Sequence, residues 1–122
     1  MTFAVELDAD HALVRVTYRG TVSIEQRSLA MDRTLALLEQ TGYRRILIGF
    51  EEALLGGDGL PATNAFATRV ATNAALRQCR IAFVGPPSNR FNVAVENLAR
   101  ARGYGFERFF EYEPALDWLL QH

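Results

Sequence analysis

Two short apolar runs constrain the fold of this chain more than any other feature: RILIGF at residues 45–50 and RIAFV at residues 80–84. A strand covered on one face alternates apolar and polar residues, whereas a run apolar at nearly every position is covered on both faces, as in a parallel sheet flanked by helices. Each run follows a segment with helical spacing. Over residues 23–42, Ser23 and Gln26 have the spacing of a capping box, Ile24, Met31, Leu35 and Leu38 fall on one side, and Gly42 supplies a stop. Residues 62–78 read as an alanine-rich, weakly amphipathic helix through Phe66, Val70 and Ala74, with Pro61 suited to its first turn. Strand, helix and buried strand in succession is the βαβ pattern of parallel pairing.

The flanks complete the pattern. Residues 2–7 (TFAVEL) and 12–19 (ALVRVTYR) are β-branched and aromatic, and Val14, Val16 and Tyr18 alternate against Arg15, Thr17 and Arg19. The stretch Asp8-Ala9-Asp10-His11 between them predicts a β-hairpin, and Gly20 ends its second strand. After the second buried run, Gly85-Pro86-Pro87 halts the strand, Ser88 or Asn89 caps a helix carrying Phe91, Val95 and Leu98, and Gly103 ends it. Residues 106–112 (FERFFEY) read as a last strand, with Pro114 opening a terminal helix that holds Leu116, Trp118 and Leu119 or Leu120. The expected fold class is α/β, a mixed and mostly parallel sheet with element order ββαβαβαβα. No repeat, low-complexity tract or linker interrupts it, so residues 1–122 read as a single domain.

Charge and residue type exclude several functions. The 13 basic residues, all arginine, face 14 acidic ones for a net charge of −1, and only Arg44-Arg45 and Arg100/Arg102 lie close together, so nucleic-acid binding is not expected. No apolar run approaches the roughly 20 residues that cross a bilayer. The first ten residues carry Glu6, Asp8 and Asp10 where a signal peptide is basic, which points to a cytoplasmic protein with no integral membrane association. Cys79 is the single cysteine, which excludes an internal disulfide and a cysteine metal cage; just before a buried strand it reads as a structural thiol. His11, in the hairpin turn, and His122, at the C-terminal position, read as solvated imidazoles, so no metal or cofactor is implied. Ser23, Ser28 and Ser88 are the only serines, and none sits in G-x-S-x-G.

Glu51 and Glu52 directly follow a parallel strand, the place where α/β proteins put their sites. Neighbours on an extended chain point in opposite directions, so with Asp58 they read as a solvated acidic loop in preference to an acid/base pair. Gly56-Gly57-Asp58-Gly59 precedes a helix like a phosphate cradle, but the chain has no GxxxxGK[ST] and no lysine, and Asp58 sets a negative charge where a phosphate would sit. With no set of residues supplying nucleophile, base and electrophile together, the chain reads as non-enzymatic. Phe109 and Phe110 must face opposite sides of a strand, and core packing under the terminal helix is the favoured role of the late aromatics. The aromatic last strand and the open sheet edges make a homodimer plausible.

The motifs together resemble a known family. The hairpin ending at Gly20 with VSIEQ after it, RRILIGF before the glycine loop, RIAFVGPPSNR, and the closing GYGFERFFEYEPALDWLL are similar to the SpoIIAA-like branch of the STAS domains, the fold of anti-sigma-factor antagonists, often grouped with SEC14-like lipid-binding folds. The resemblance implies a mixed sheet whose first strand is antiparallel, with helices against it. In phosphoswitch members a D-S-[ST]-G-L segment carries the phosphorylated serine; alignment on Gly59-Leu60 sets that position at Gly57, followed by Asp58, so the hydroxyl is missing and Thr63 is a poor substitute.

The leading expectation is a STAS-like binding domain that meets a protein partner through the loops at residues 51–63 and 85–90. Its partner-binding residues are Glu51, Glu52, Gly57, Asp58, Thr63, Ser88, Asn89 and Arg90. The alternative is a carrier of a small apolar ligand or lipid, in a pocket under the same loops lined by Leu54, Leu55, Leu60, Phe66 and Phe91. Ala53-Leu54-Leu55 is the discriminating feature, because a solvated loop does not need three apolar residues; continued strand or helix is the other account of it.

Overall fold

A computed structural model describes residues 2–121 of the chain. The elements run β1 (Phe3–Asp8), β2 (Leu13–Val22), α1 (Ile24–Thr41), β3 (Arg45–Leu55), α2 (Gly59–Ala71), α3 (Ala74–Arg77), β4 (Arg80–Val84), α4 (Val93–Ala101), β5 (Phe106–Phe109) and α5 (Tyr112–Leu120). The five strands lie in sequence order in one sheet. β1 is antiparallel to β2, and the pairs β2–β3, β3–β4 and β4–β5 are parallel. This is the α/β class and the mixed sheet expected, with the four-residue α3 added between α2 and β4.

Right-handed crossovers that always step to the next strand in the same direction keep their helices on one face. Helices α1, α2 and α4 accordingly share one large core with Val14, Val16, Ile46, Phe50, Ile81 and Phe83. The other face is left to α5, whose Ala115 and Leu119 close a smaller core over Leu13, Leu47, Ala82 and Val84. The alternation in β2 is as its sequence indicates: Val14, Val16 and Tyr18 are buried, while Arg15, Thr17 and Arg19 are half-buried or exposed.

Local signals explain α1. Ser23 Oγ accepts from the Gln26 amide at 3.2 Å while Gln26 Oε1 accepts from the Ser23 amide at 3.0 Å, and Gly42 ends the helix at φ 77°, a left-handed conformation that glycine adopts without cost. Other boundaries differ from expectation. β3 does not stop at Phe50 but runs to Leu55, with a β-bulge setting Phe50 and Glu51 against Tyr18 alone. The long helix over residues 62–78 begins instead at Gly59 and breaks after Ala71, where Asn73 Oδ1 accepts from the Leu76 amide at 3.0 Å and starts α3. The last strand is four residues long and α5 begins at Tyr112.

Candidate functional site

β3 outruns its neighbour. Its pairing with β4 ends at Gly49 opposite Val84, so residues 52–55 pair only with residues 19–22 of β2 and form a two-stranded arm beyond the sheet. The carbonyls on the free edge of that arm need donors that β4 no longer provides. Asn89 supplies them: its amide nitrogen donates to Phe50 O at 2.9 Å and to Ala53 O at 3.0 Å, while its Oδ1 accepts from the Phe91 amide at 2.8 Å. Neither Ser88 nor Asn89 caps α4; that helix starts after Asn92, whose side chain makes no cap bond. The assignment of Asn89 as helix cap is corrected, and its side chain is committed to the protein's own backbone.

The arm turns into α2 tightly. Gly56 donates its amide to Val22 O at 2.9 Å, and a Cβ there would meet that same oxygen at 2.9 Å. Asp58 Oδ2 accepts from the Ile24 amide at 3.0 Å, so this carboxylate sits at the N-terminus of α1, where the helix dipole favours it. Thr63 Oγ1 donates to Gly59 O at 2.9 Å within α2.

The expected partner-binding residues separate into two places. Glu51 and Glu52 border a shallow depression of about 280 Å³ with Thr17, Arg19 and Gly49, and Glu52 lies 3.9 Å from Arg19. Thr63 and Arg90 instead line an open groove of about 600 Å³ between α2 and α4, together with Leu55, Leu60 and Phe91. Gly57, Asp58 and Ser88 are exposed and line neither.

The expected ligand pocket is found in part: Leu55, Leu60 and Phe91 line the α2–α4 groove, whereas Phe66 lines a separate cavity and Leu54 lines neither. Leu54, Leu55 and Leu60 are 65, 48 and 71% exposed, whereas Phe66 and Phe91 are buried, so the five do not enclose one pocket. Leu54 and Leu55 belong to a strand and not to a loop. The late aromatics behave as expected, the Phe109 ring lying 5.8 Å from that of Trp118 at a tilt of 52° while Phe110 stays exposed.

A separate cavity of about 60 Å³ is lined by residues of α1, α2, α3, α4 and the sheet. Its wall carries Arg27 and Asn92, both buried, neither of which stood out as a candidate in the sequence. Arg27 is sandwiched between the Phe66 and Phe91 rings, at 4.6 and 4.4 Å, and its terminal nitrogens donate to Asn92 Oδ1 at 3.0 Å and Phe91 O at 3.4 Å. Burial lowers its pKa, and burial raises that of Tyr18, whose hydroxyl interacts with it. The signal for Arg27 was in the sequence: it occupies the same helical stripe as Ala30, Met31, Thr34 and Leu38.

A second arginine, half-buried, organises the loop after β4. Arg108 pairs with Glu96 through both carboxylate oxygens, at 3.1 and 2.9 Å, and also donates to Gly85 O, Pro86 O and Asn89 O. Cys79 is buried, which raises its pKa and leaves it a structural thiol. His11 is less solvated than expected, Nδ1 lying 2.8 Å from Asp8 Oδ2; His122 lies outside the described residues.

No model of a known protein family matches this chain, and no curated protein does. A solved structure does: an uncharacterized protein of the DUF3478 family with a SpoIIAA-like fold, from Shewanella loihica PV-4, superposes with a TM-score of 0.65 over 96% of this chain and 91% of that one. The fold is SpoIIAA-like. At 18% identity the likeness extends to the fold alone, and function rests on the residues of this SpoIIAA-like domain itself. No helix among the described residues is long and apolar enough to cross a membrane.

Proposed function

We propose that this SpoIIAA-like domain is a non-enzymatic protein-interaction module, and that it meets its partner through the tip of the β2–β3 arm and the α2–α4 groove. The observation that carries the reading is the exposure of Leu54, Leu55 and Leu60, two of which line one groove. Single exposed leucines are ordinary on a protein surface; two in one groove, with Leu54 next in sequence on the arm, mark an interaction surface. Arg90 in the same groove favours a partner segment that sets a carboxylate beside its apolar side chains.

The association is constitutive in this reading. Gly57 offers no hydroxyl, so the position of the phosphorylated serine carries no regulated charge here. Glu51 and Glu52, on their separate depression, lie outside the contact.

The test is affinity capture from the native source with the wild-type chain and the Leu55→Asp/Leu60→Asp variant, followed by calorimetry on each purified partner. At least a tenfold loss of affinity in the variant is expected, with its circular dichroism unchanged because both side chains are exposed. A partner that binds the variant as tightly as the wild type defeats the reading. If the captured species is the chain itself, sedimentation of the two proteins identifies a homodimer through this face.

A further inference from the structure

Phe110 is the only aromatic side chain among the described residues that lies exposed, at 58%. It follows β5 directly, and Glu111 and Glu113 just after it are exposed too. None of the ion pairs among the described residues includes either glutamate. The smaller core is closed by Phe109, Tyr112 and Trp118 and does not need the Phe110 ring. A lone exposed ring is ordinary by itself. What gives this one meaning is its match to another surface of the same chain.

That surface is the α2–α4 groove. Leu55, Leu60, Ala67, Phe91, Ala94 and Leu98 supply its apolar wall. Arg90 is the only charged residue lining it, is exposed, and enters none of the ion pairs. A cavity of about 150 Å³ accommodates benzene, so a groove of about 600 Å³ has room for a phenyl ring and the residues beside it. The two surfaces lie at the same end of the molecule. Phe110 follows β5, Leu55 ends β3 and Arg90 lies in the loop after β4, and these three strands are parallel.

We propose that the groove of one copy takes Phe110 of a second copy of this chain, with Glu111 and Glu113 beside Arg90, and that two copies close into a dimer by making this contact twice. The inference rests on the reading of the groove as a partner site and names the partner. An aromatic anchor in an apolar pocket, with opposite charges at its rim, is how protein interfaces concentrate affinity and fix register. A two-fold axis beyond the shared end of the strands presents each Phe110 to the other copy's groove. A groove-to-groove contact brings no carboxylate to either Arg90, because the lining holds none. Leu7, the exposed leucine flanked by two acidic residues, fits less well: it lies within β1, and the Asp8 carboxylate is already held by His11 and Arg15.

The experiment is sedimentation velocity on the full chain from micromolar to millimolar concentration, with Phe110→Asp, with Leu55→Asp/Leu60→Asp, and with an equimolar mixture of the two variants. All the substituted side chains are exposed, and circular dichroism checks the fold of each variant. The expected result is a wild-type dimer, at least a tenfold weaker self-association of each variant alone, and a one-to-one species in the mixture. That species forms because the Phe110 left on one variant meets the groove left on the other. Arg90→Glu should weaken the dimer likewise, and Arg90→Glu/Glu111→Arg/Glu113→Arg should recover it. A wild-type chain that stays monomeric at millimolar concentration overturns the proposal and leaves the leucine face to a different protein found by affinity capture. A dimer that Phe110→Asp does not weaken, or a mixture with no joint species, overturns it as well. Self-association lost in the leucine variant alone would then keep that face as an interface between copies and remove Phe110 from it.

Discussion

Asp8 holds the β1–β2 turn with one carboxylate. Oδ1 accepts from the His11 amide at 3.2 Å, and Oδ2 lies 2.8 Å from His11 Nδ1 and 3.2 Å from an Arg15 nitrogen. The His11 side chain is the main cause holding the Asp8 pKa below its usual 3.8, with Arg15 adding to it. A carboxylate whose folded pKa is depressed contributes stability above the unfolded value and loses it as the pH falls through the folded one. Asp8→Asn is therefore expected to destabilise the protein at neutral pH by on the order of 1 kcal/mol at most, the group being partly solvated. In urea denaturation the gap to the wild type should close as the pH falls below 3.8; a gap that persists unchanged into strong acid would contradict this role. Turn chemistry of this kind was legible, since aspartate and histidine between two alternating runs already announced the hairpin. Asn89 was read as a helix cap, and Arg27 was not singled out. An asparagine after Pro-Pro looks like a helix cap, and only the missing β4 edge shows why its amide is needed by Phe50 O and Ala53 O. Arg27 shares the buried stripe of α1, but a lone charge in such a stripe is easily passed over when the apolar members are counted.

Elements were legible in kind and less so in extent. The apolar runs at residues 45–50 and 80–84 are strands, yet β3 continues through two glutamates, because what sustains residues 52–55 is pairing with β2 and not their own hydrophobicity. The bulge opposite Tyr18 resets the alternation, so Ala53 is buried while Leu54 and Leu55 are exposed. A strict period of two read along the sequence cannot anticipate that reset. The loop after β4 depends equally on a distant element. Arg108 of β5 grips three of its carbonyls, lies 4.7 Å from the Phe50 ring and neutralises Glu96 of α4. Gly85 lies so close to Phe50 that an added Cβ would stand 2.4 Å from the ring, leaving the loop no room to retreat. Arg108→Ala should cost about 3 to 5 kcal/mol in chemical denaturation, since it strands a buried glutamate. Arg108→Ala/Glu96→Leu should recover part of that loss. Equal destabilisation by the single and double substitutions would show that the carbonyl bonds, and not the ion pair, carry the effect.

At the scale of the molecule, one sheet separates two cores of unequal size. Helices α1, α2 and α4 cover one face, and α5 alone covers part of the other, so the smaller core of Leu13, Leu47, Ala82, Val84, Ala115 and Leu119 has no neighbour but the sheet itself. The strands are common to both: Leu13 and Val14 are adjacent and face opposite cores, as do Ile46 and Leu47. Loss of either layer uncovers the apolar positions of the same strands, which couples the two layers through the sheet. Trp118, the single tryptophan, reports on α5 because it lies over Arg80 at 3.8 Å and near Phe109 at 5.8 Å. Far-UV circular dichroism reports mainly on the larger helical layer, α1 at its head. The two signals should follow one coincident urea transition, as a two-state domain requires. Leu119→Ala, made at a fully buried position of the smaller core, should shift both signals together by about 2 to 5 kcal/mol. If the tryptophan signal moves alone, α5 is an independent unit that opens without the rest, and the sheet face beneath it becomes a surface the protein can expose.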